Sequence, residues 1–145
     1  MKKAIAAGVM AAAALVFTVP AQAAPKQAAP KGNFVGWETP ENGATPQQFL
    51  LGVSGCGDGC VTVHVLPNGW TQNFTFDGAN WVGHRANGTV PCMFGTASGQ
   101  SSGPVDVDYV INPAFSGGSA TYSFHGGFSC GSPDTVTRQV TLAPV

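Results

Sequence analysis

Beyond residue 32, apolar and polar residues alternate with a period of two, and short runs rich in Gly, Asn, Asp and Pro interrupt the alternation. This pattern is typical of short β-strands joined by turns. A helical period of 3.6 residues is not found there, so the pattern predicts an all-β fold. The eight candidate strands are residues 34–37, 48–54, 60–66, 70–76, 80–86, 105–111, 119–124 and 135–142.

The alternation also predicts which side chains share a face. In the third candidate strand, Val61, Val63 and Val65 lie on one face, whereas Thr62 and His64 lie on the other. Strands joined mostly by hairpins would leave unpaired edges in an open sheet. We therefore expect antiparallel strands that close as a small barrel or a two-layer sandwich.

The amino terminus predicts export. Met1-Lys2-Lys3 is a short positive segment, residues 4–19 are apolar, and Ala21-Gln22-Ala23 fits an A-x-A cleavage signal. The apolar run is shorter than the roughly 20 residues that a membrane-spanning helix needs. Residues 1–23 are therefore interpreted as a cleaved secretion signal, and the predicted location is extracellular or in the cell envelope.

Composition narrows the classes of function. Residues 24–32, rich in Ala, Pro and Lys, predict a flexible leader, and 33–145 then form a single all-β domain. Charged residues are only 9% of the chain, against roughly 25% in an average soluble domain. Past the leader only Arg85 and Arg138 are basic. Two basic side chains cannot form the patch that nucleic acid or an anionic bilayer requires, so neither partner is expected.

The four cysteines predict two disulfides. Three pairings are possible. Cys56 and Cys60 flank a glycine-rich turn, and Cys92 and Cys130 lie beside turns at strand edges, so we expect the pairs Cys56–Cys60 and Cys92–Cys130. Zinc is the competing use, but a paired C-x₂-C is missing and export favours oxidation.

Several short motifs carry a resemblance to a known group of proteins. They contain Gly36-Trp37, Cys56 to Val61, Asn80-Trp81-Val82, Val90-Pro91-Cys92, Ser129-Cys130-Gly131 and Thr141 to Val145. In this order they resemble small exported proteins of mycobacteria and related actinobacteria, over nearly the whole chain after the signal. Because the motifs consist of Cys, Trp and Gly, the resemblance implies a shared fold and disulfide pattern and transfers no catalytic residue.

Candidate catalytic residues do not form a recognisable frame. His64, His84 and His125, with Asp106 and Asp108, offer a histidine and a carboxylate for hydrolysis. The sequence lacks a G-x-S-x-G motif, and disulfide-bonded cysteines are not nucleophiles. A small secreted hydrolase that uses a histidine and a carboxylate is therefore the alternative, not the favoured function.

Metal and cofactor sites are not predicted either. Asp106 and Asp108 point the same way along one strand and offer a calcium site, but a negatively charged outer face that discourages sheet stacking is the preferred interpretation. Glycoside hydrolysis needs two carboxylates across a cleft. Glu38 and Glu41 are close neighbours near the leader, which argues against that role.

Aromatic and arginine side chains give the best indication of a binding site. Trp81 and Arg85 share a strand face, which predicts a cation–π contact at a rim. Arg138 shares the apolar face of the last strand with Val136 and Val140. An inward charge needs a partner or a wet cavity. The candidate ligand-binding residues are therefore Trp81, Arg85 and Arg138, in a non-enzymatic domain that binds a small apolar ligand, an envelope glycan or another protein.

Overall fold

The computed structural model of the protein describes residues 27–40, 45–67, 69–92 and 99–145. No helix occurs among these residues, and the predicted all-β fold is confirmed. β3 and β6 begin and end where the alternation predicts. In chain order the strands are β1 (Gly32–Thr39), β2 (Gln47–Gly57), β3 (Cys60–Leu66), β4 (Thr71–Phe76), β5 (Trp81–Gly88), β6 (Val105–Ile111), β7 (Gly117–Phe124) and β8 (Thr135–Pro144).

The strands close into a barrel. Each strand pairs antiparallel with the next one in the chain, and β8 returns to pair with β1, with Phe34 opposite Pro144 and Thr39 opposite Gln139. This last pairing decides between the two expected architectures in favour of the barrel. Closure pairs every described strand with two neighbours, so none of these strands is an edge strand.

The period-two pattern sorts side chains between the inside and the outside of the barrel. Val61 and Val63 are buried on the inner face of β3, while Thr62 and His64 face outward. The same alternation in β8 buries Val136, Arg138 and Val140. Burial of the apolar inner residues supplies most of the driving force for folding.

At one end of the barrel the connections are short and the core is aromatic. This closed end contains the turns 58–59, 77–80 and 112–116. Phe115 packs edge-on against Phe34 with ring centroids 5.3 Å apart, and Trp81 packs on Phe76 at 5.2 Å. The indole of Trp81 also donates a hydrogen bond to the carbonyl of Pro113 at 3.4 Å. The closed end is therefore sealed by aromatic side chains.

The opposite, open end carries two long connections, although the connection between β3 and β4 at this end is short. The β5–β6 connection spans 89–104 and the β7–β8 connection spans 125–134. Both predicted disulfides are confirmed, one at each end: Cys56–Cys60 joins β2 to β3 at the closed end, and Cys92–Cys130 joins these two open-end connections. Each end thus has its own covalent cross-link.

The amino-terminal predictions fall largely outside the described residues. The predicted signal 1–23 lies entirely outside them, and the predicted leader is described from Gln27 on. The Gln27 side chain donates a hydrogen bond to the Pro113 carbonyl at 3.0 Å, and Ala29 packs against the core. This part of the leader thus contacts the closed end. Among the described residues there is no helix with the length and apolar character to cross a membrane.

Candidate functional site

The interior of the barrel contains a cavity of about 460 Å³. Every strand contributes to its wall, and most of the lining side chains are apolar or aromatic. Phe115 forms its floor, whereas the exposed residues Thr89 and Pro91 lie at its rim, so the cavity opens at the open end. Its polar lining residues are Glu38, Arg85, Thr89, Tyr109, Tyr122 and Arg138.

Two glycines on the inner wall make room for this cavity. The ring of Phe49 occupies the space that a Cβ at Gly36 would need. At Gly83 the Phe74 ring lies only 3.0 Å from where a Cβ would stand. Since neither glycine has a side chain, both rings lie close to the wall and leave space at the centre of the barrel.

A buried ion pair joins β1 and β8 on the inner side of the barrel wall. The Arg138 guanidinium Nη1 lies 3.2 Å from Glu38 Oε1, and both side chains are only 8% exposed. The Tyr122 hydroxyl donates a hydrogen bond to the same oxygen at 2.7 Å, and its ring lies under the Arg138 guanidinium at 4.7 Å. The predicted inward charge of Arg138 is thus balanced by a carboxylate and held by an aromatic ring.

The two tyrosines of the cavity remain protonated at neutral pH. Burial raises the pKa of Tyr122 well above its ordinary value, and the negative charge of Glu38 adds to the rise. Burial also raises the pKa of Tyr109, and the nearby Arg85 guanidinium opposes this rise. Both phenols therefore keep the O–H proton and carry no charge, and the O–H of Tyr122 is donated to Glu38.

Arg85 occupies the mouth side of the cavity. Its guanidinium lies over the Trp70 ring, 5.1 Å from the centroid. Trp70 in turn packs against Tyr109 with ring centroids 5.5 Å apart. Among the described residues Arg85 takes part in no ion pair, in contrast to Arg138. The cavity therefore contains one compensated and one uncompensated arginine.

β4 and β5 form the weakest seam of the barrel, and a polar side chain fills it. Their pairing is limited to Thr75 opposite Val82 and Phe76 opposite Trp81. Where the strands diverge, Gln72 is buried over Gly83, and neither of its amide atoms finds a hydrogen-bond partner among the described residues. A buried amide without partners is uncommon and costs about 1–3 kcal/mol.

The structure brings two of the three predicted ligand-binding residues together. Arg85 and Arg138 both line the cavity. Trp81 is fully buried at the closed end and is not one of the residues that line the cavity. The expected contact between Arg85 and Trp81 is replaced by the contact of Arg85 with Trp70.

Sequence reasoning missed the carboxylate of this site. Glu38 had been compared only with Glu41, which lies outside the described residues. The alternation of β1 would have identified it, because Phe34, Gly36 and Glu38 are all buried on the same face. When one strand places a carboxylate inward and another strand places an arginine inward, the two charges are expected to pair.

The remaining candidate residues lie on the outer wall. His84 Nδ1 lies 2.6 Å from Asp108 Oδ1, and His125 Nε2 lies 2.8 Å from Asp106 Oδ2. His64 instead shares a hydrogen bond with the hydroxyl of Thr71 at 2.6 Å. Within the described ranges no histidine contacts both a carboxylate and a hydroxyl, and no group of three or more His, Cys, Asp or Glu is placed to hold a metal ion.

The outer-wall charges still influence one another. The hydrogen bond with Asp108 raises the pKa of His84. The backbone N–H of Asn87 donates to Asp106 and, with the hydrogen bond to His125, lowers the pKa of that carboxyl. His84 and Asp108 form an exposed cross-strand pair of the kind that stabilises sheets modestly, while His125 contacts Asp106 from just beyond the end of β7.

Known protein families, curated proteins and solved structures offer no match to this chain. The geometry and chemistry of the cavity are therefore the basis for assigning a function.

Proposed function

We propose that this protein is a secreted or cell-envelope binding protein that holds one small, mainly apolar molecule inside its barrel. The observation that carries the proposal is the interior cavity of about 460 Å³ that opens at one end. Ligand pockets in proteins are typically about 300–1,000 Å³, with an apolar lining and a few placed polar groups. The cavity has this size and this composition.

The export of the protein is part of the proposal. The secretion signal predicted at residues 1–23 and the two disulfides support an oxidising location outside the cytoplasm. Disulfides stabilise small exported domains, so a closed barrel with a cross-link at each end suits a carrier that works outside the cell.

The polar groups inside the cavity support binding better than catalysis. Glu38 already accepts hydrogen bonds from Tyr122 and Arg138, so its carboxylate is neutralised and fixed in place. Tyr109 stays protonated and offers its O–H to a ligand, whereas Tyr122 donates its O–H to Glu38. Such groups orient a ligand within an apolar pocket, which is the usual role of a few polar residues in a binding site.

Titration with N-phenyl-1-naphthylamine, an uncharged apolar dye, tests the proposal. Its fluorescence should rise in the apolar cavity and saturate at one dye per protein. The variant Val65→Phe places a larger side chain in the lining and should weaken dye binding at least tenfold. Val110→Phe makes the same change at an outward position that is 41% exposed and should bind the dye as the natural protein does.

Two outcomes contradict the proposal. One is the absence of saturable dye binding to the folded protein. The other is equal binding by the Val65→Phe and Val110→Phe variants, which would place the dye on the outer surface. Circular dichroism of both variants shows whether each has retained the barrel.

A further inference from the structure

We infer that the ligand of the cavity is a monoanionic amphiphile whose carboxylate binds Arg85 and whose apolar part extends toward Phe115. This inference rests on the proposed function, since it names the chemical class of the molecule that the cavity holds. It follows from the charges in the cavity, the position of Arg85 and the shape of the apolar space below it.

Among the described residues, the charges that line the cavity do not cancel. They consist of the Glu38 carboxylate and the guanidinium groups of Arg85 and Arg138, because the two tyrosines stay protonated. One positive charge is left over. Charges in partly buried positions are stabilised by an opposite charge, so a ligand with one negative charge completes the set.

The excess positive charge does not belong to Arg138, because Arg138 pairs with Glu38. Its guanidinium lies 3.2 Å from Glu38, and both side chains are deeply buried. A ligand anion at Arg138 would compete with the Glu38 carboxylate and leave that carboxylate without its partner, which is costly inside a protein. The excess charge therefore belongs to Arg85.

Arg85 is placed to receive an anion. Its guanidinium lies over the Trp70 ring, 5.1 Å from the centroid, and also forms a hydrogen bond with the Tyr109 side chain. The N–H donors of a guanidinium lie in its plane, in a fork that matches the two oxygens of a carboxylate. These two contacts restrict the Arg85 side chain in advance, which lowers the entropy lost when an anion binds.

The position of Arg85 also gives the orientation of the ligand. Its Nη2 lies 3.0 Å from where a Cβ at Gly88 would stand, and Gly88 ends β5 at the open end. The guanidinium therefore lies near the mouth. Below it the wall is formed by apolar groups such as Ile111 and Leu142 down to Phe115. The charged group thus stays near water while the apolar part is buried.

Competition with bound N-phenyl-1-naphthylamine tests this inference, with three competitors of equal chain length: decanoate, decan-1-ol and decylamine. Decanoate should displace the dye at a concentration at least tenfold below that of decan-1-ol, since hydrogen bonds to charged groups are stronger than neutral ones. Decylamine should be the weakest of the three. In the Arg85→Gln variant, the concentrations of decanoate and decan-1-ol that displace the dye should agree within about twofold.

Two further variants separate the role of the fork from that of net charge. Arg85→Lys keeps the positive charge but lacks the planar fork, so it should retain only part of the preference for decanoate. Lys31→Gln removes a positive charge from an exposed position before β1 and should keep the full preference.

The outcomes distinguish this inference from the proposed function. If the dye binds and decan-1-ol or decylamine displaces it as well as decanoate does, the inference of an anionic ligand is wrong. The proposal of an apolar binding site in the cavity is then retained. A decanoate preference that persists in Arg85→Gln also overturns the assignment to Arg85. If the dye does not bind the natural protein at all, the proposed function itself fails.

Discussion

The two ends of the barrel are built from different kinds of interaction. At the closed end short turns and aromatic rings fill the space, with Phe115 on Phe34 and Trp81 on Phe76. At the open end two of the connections are long, the inner wall carries charges, and a cavity replaces the packed core. The comparison indicates that the closed end supplies packing, while the open end carries the polar and charged groups of the proposed binding site.

The polar groups of the open half have a structural consequence as well. A buried ion pair gives little net stability but is costly to break, because the remaining charge loses its partner. Apolar packing at the closed end carries no such penalty. A domain of this size can thus hold charges in one half because the other half is densely packed with apolar and aromatic side chains.

The largest effect is expected from breaking the buried ion pair. Glu38→Gln should lower the free energy of unfolding by about 3–5 kcal/mol, because Arg138 then stays buried without a carboxylate. The double variant Glu38→Met/Arg138→Leu should recover most of this loss, since it removes both charges. Urea unfolding of the three proteins measures the difference. A loss below about 1 kcal/mol in the single variant would show that the pair is not buried.

Removal of each disulfide compares the two ends directly. Cys92 and Cys130 are 38 residues apart in the chain, and Cys56 and Cys60 only 4. On the chain-entropy account, replacing the first pair by serine should cost about 4 kcal/mol and replacing the second about 2 kcal/mol. Thermal and urea unfolding give both values. The reverse order would mean that the open end does not depend on its cross-link.

A smaller effect is expected at the seam between β4 and β5. Gln72→Leu should raise the free energy of unfolding by about 1–3 kcal/mol, because it removes a buried amide that lacks partners. Gln139→Leu makes the same change on the outer face of β8 and should alter stability by less than about 0.5 kcal/mol. Destabilisation by Gln72→Leu would show that the amide has hydrogen-bond partners in solution.

The smallest effect concerns the outer wall. The hydrogen bond with Asp108 raises the pKa of His84 above 6.5, so the stabilisation from this pair is complete below the unfolded-state pKa of histidine. It is lost as the pH rises through the higher folded-state pKa. An NMR titration of the His84 ring should show the raised pKa. Asp108→Asn should lower it more than Asp106→Asn does, and an equal effect would contradict the assigned pair.

The fold was largely predictable from the sequence because strand alternation is a local signal. The bounds of β3 and β6 follow directly from it, and the cysteine pairing follows from the turns that flank each cysteine. Barrel closure was not predictable, since the pairing of Phe34 with Pro144 depends on the stagger and twist of all eight strands. The alternation of residues along a single strand carries no information about the combined stagger and twist of all eight strands.

The binding site was only partly predictable. Arg138 was identified because a charge at an inward position is an exception to the alternation. The contact of Arg85 with Trp81 was wrong for a geometric reason: residues four apart in a strand are separated by about 13 Å along it. Trp70, which lies just before the neighbouring strand β4, contacts the Arg85 guanidinium instead.

The three tryptophans allow the most direct test of the central claim, because each reports on a different region. Trp70 lies in the cavity, Trp81 at the closed end and Trp37 on the outer face of β1. Their indole N–H signals should be followed by ¹H–¹⁵N NMR while decanoate is added to the labelled protein. We predict a saturable shift of the Trp70 signal, with the signals of Trp81 and Trp37 nearly unchanged. A shift of Trp37 without Trp70, or equal shifts of all three, would contradict binding at the open end of the barrel.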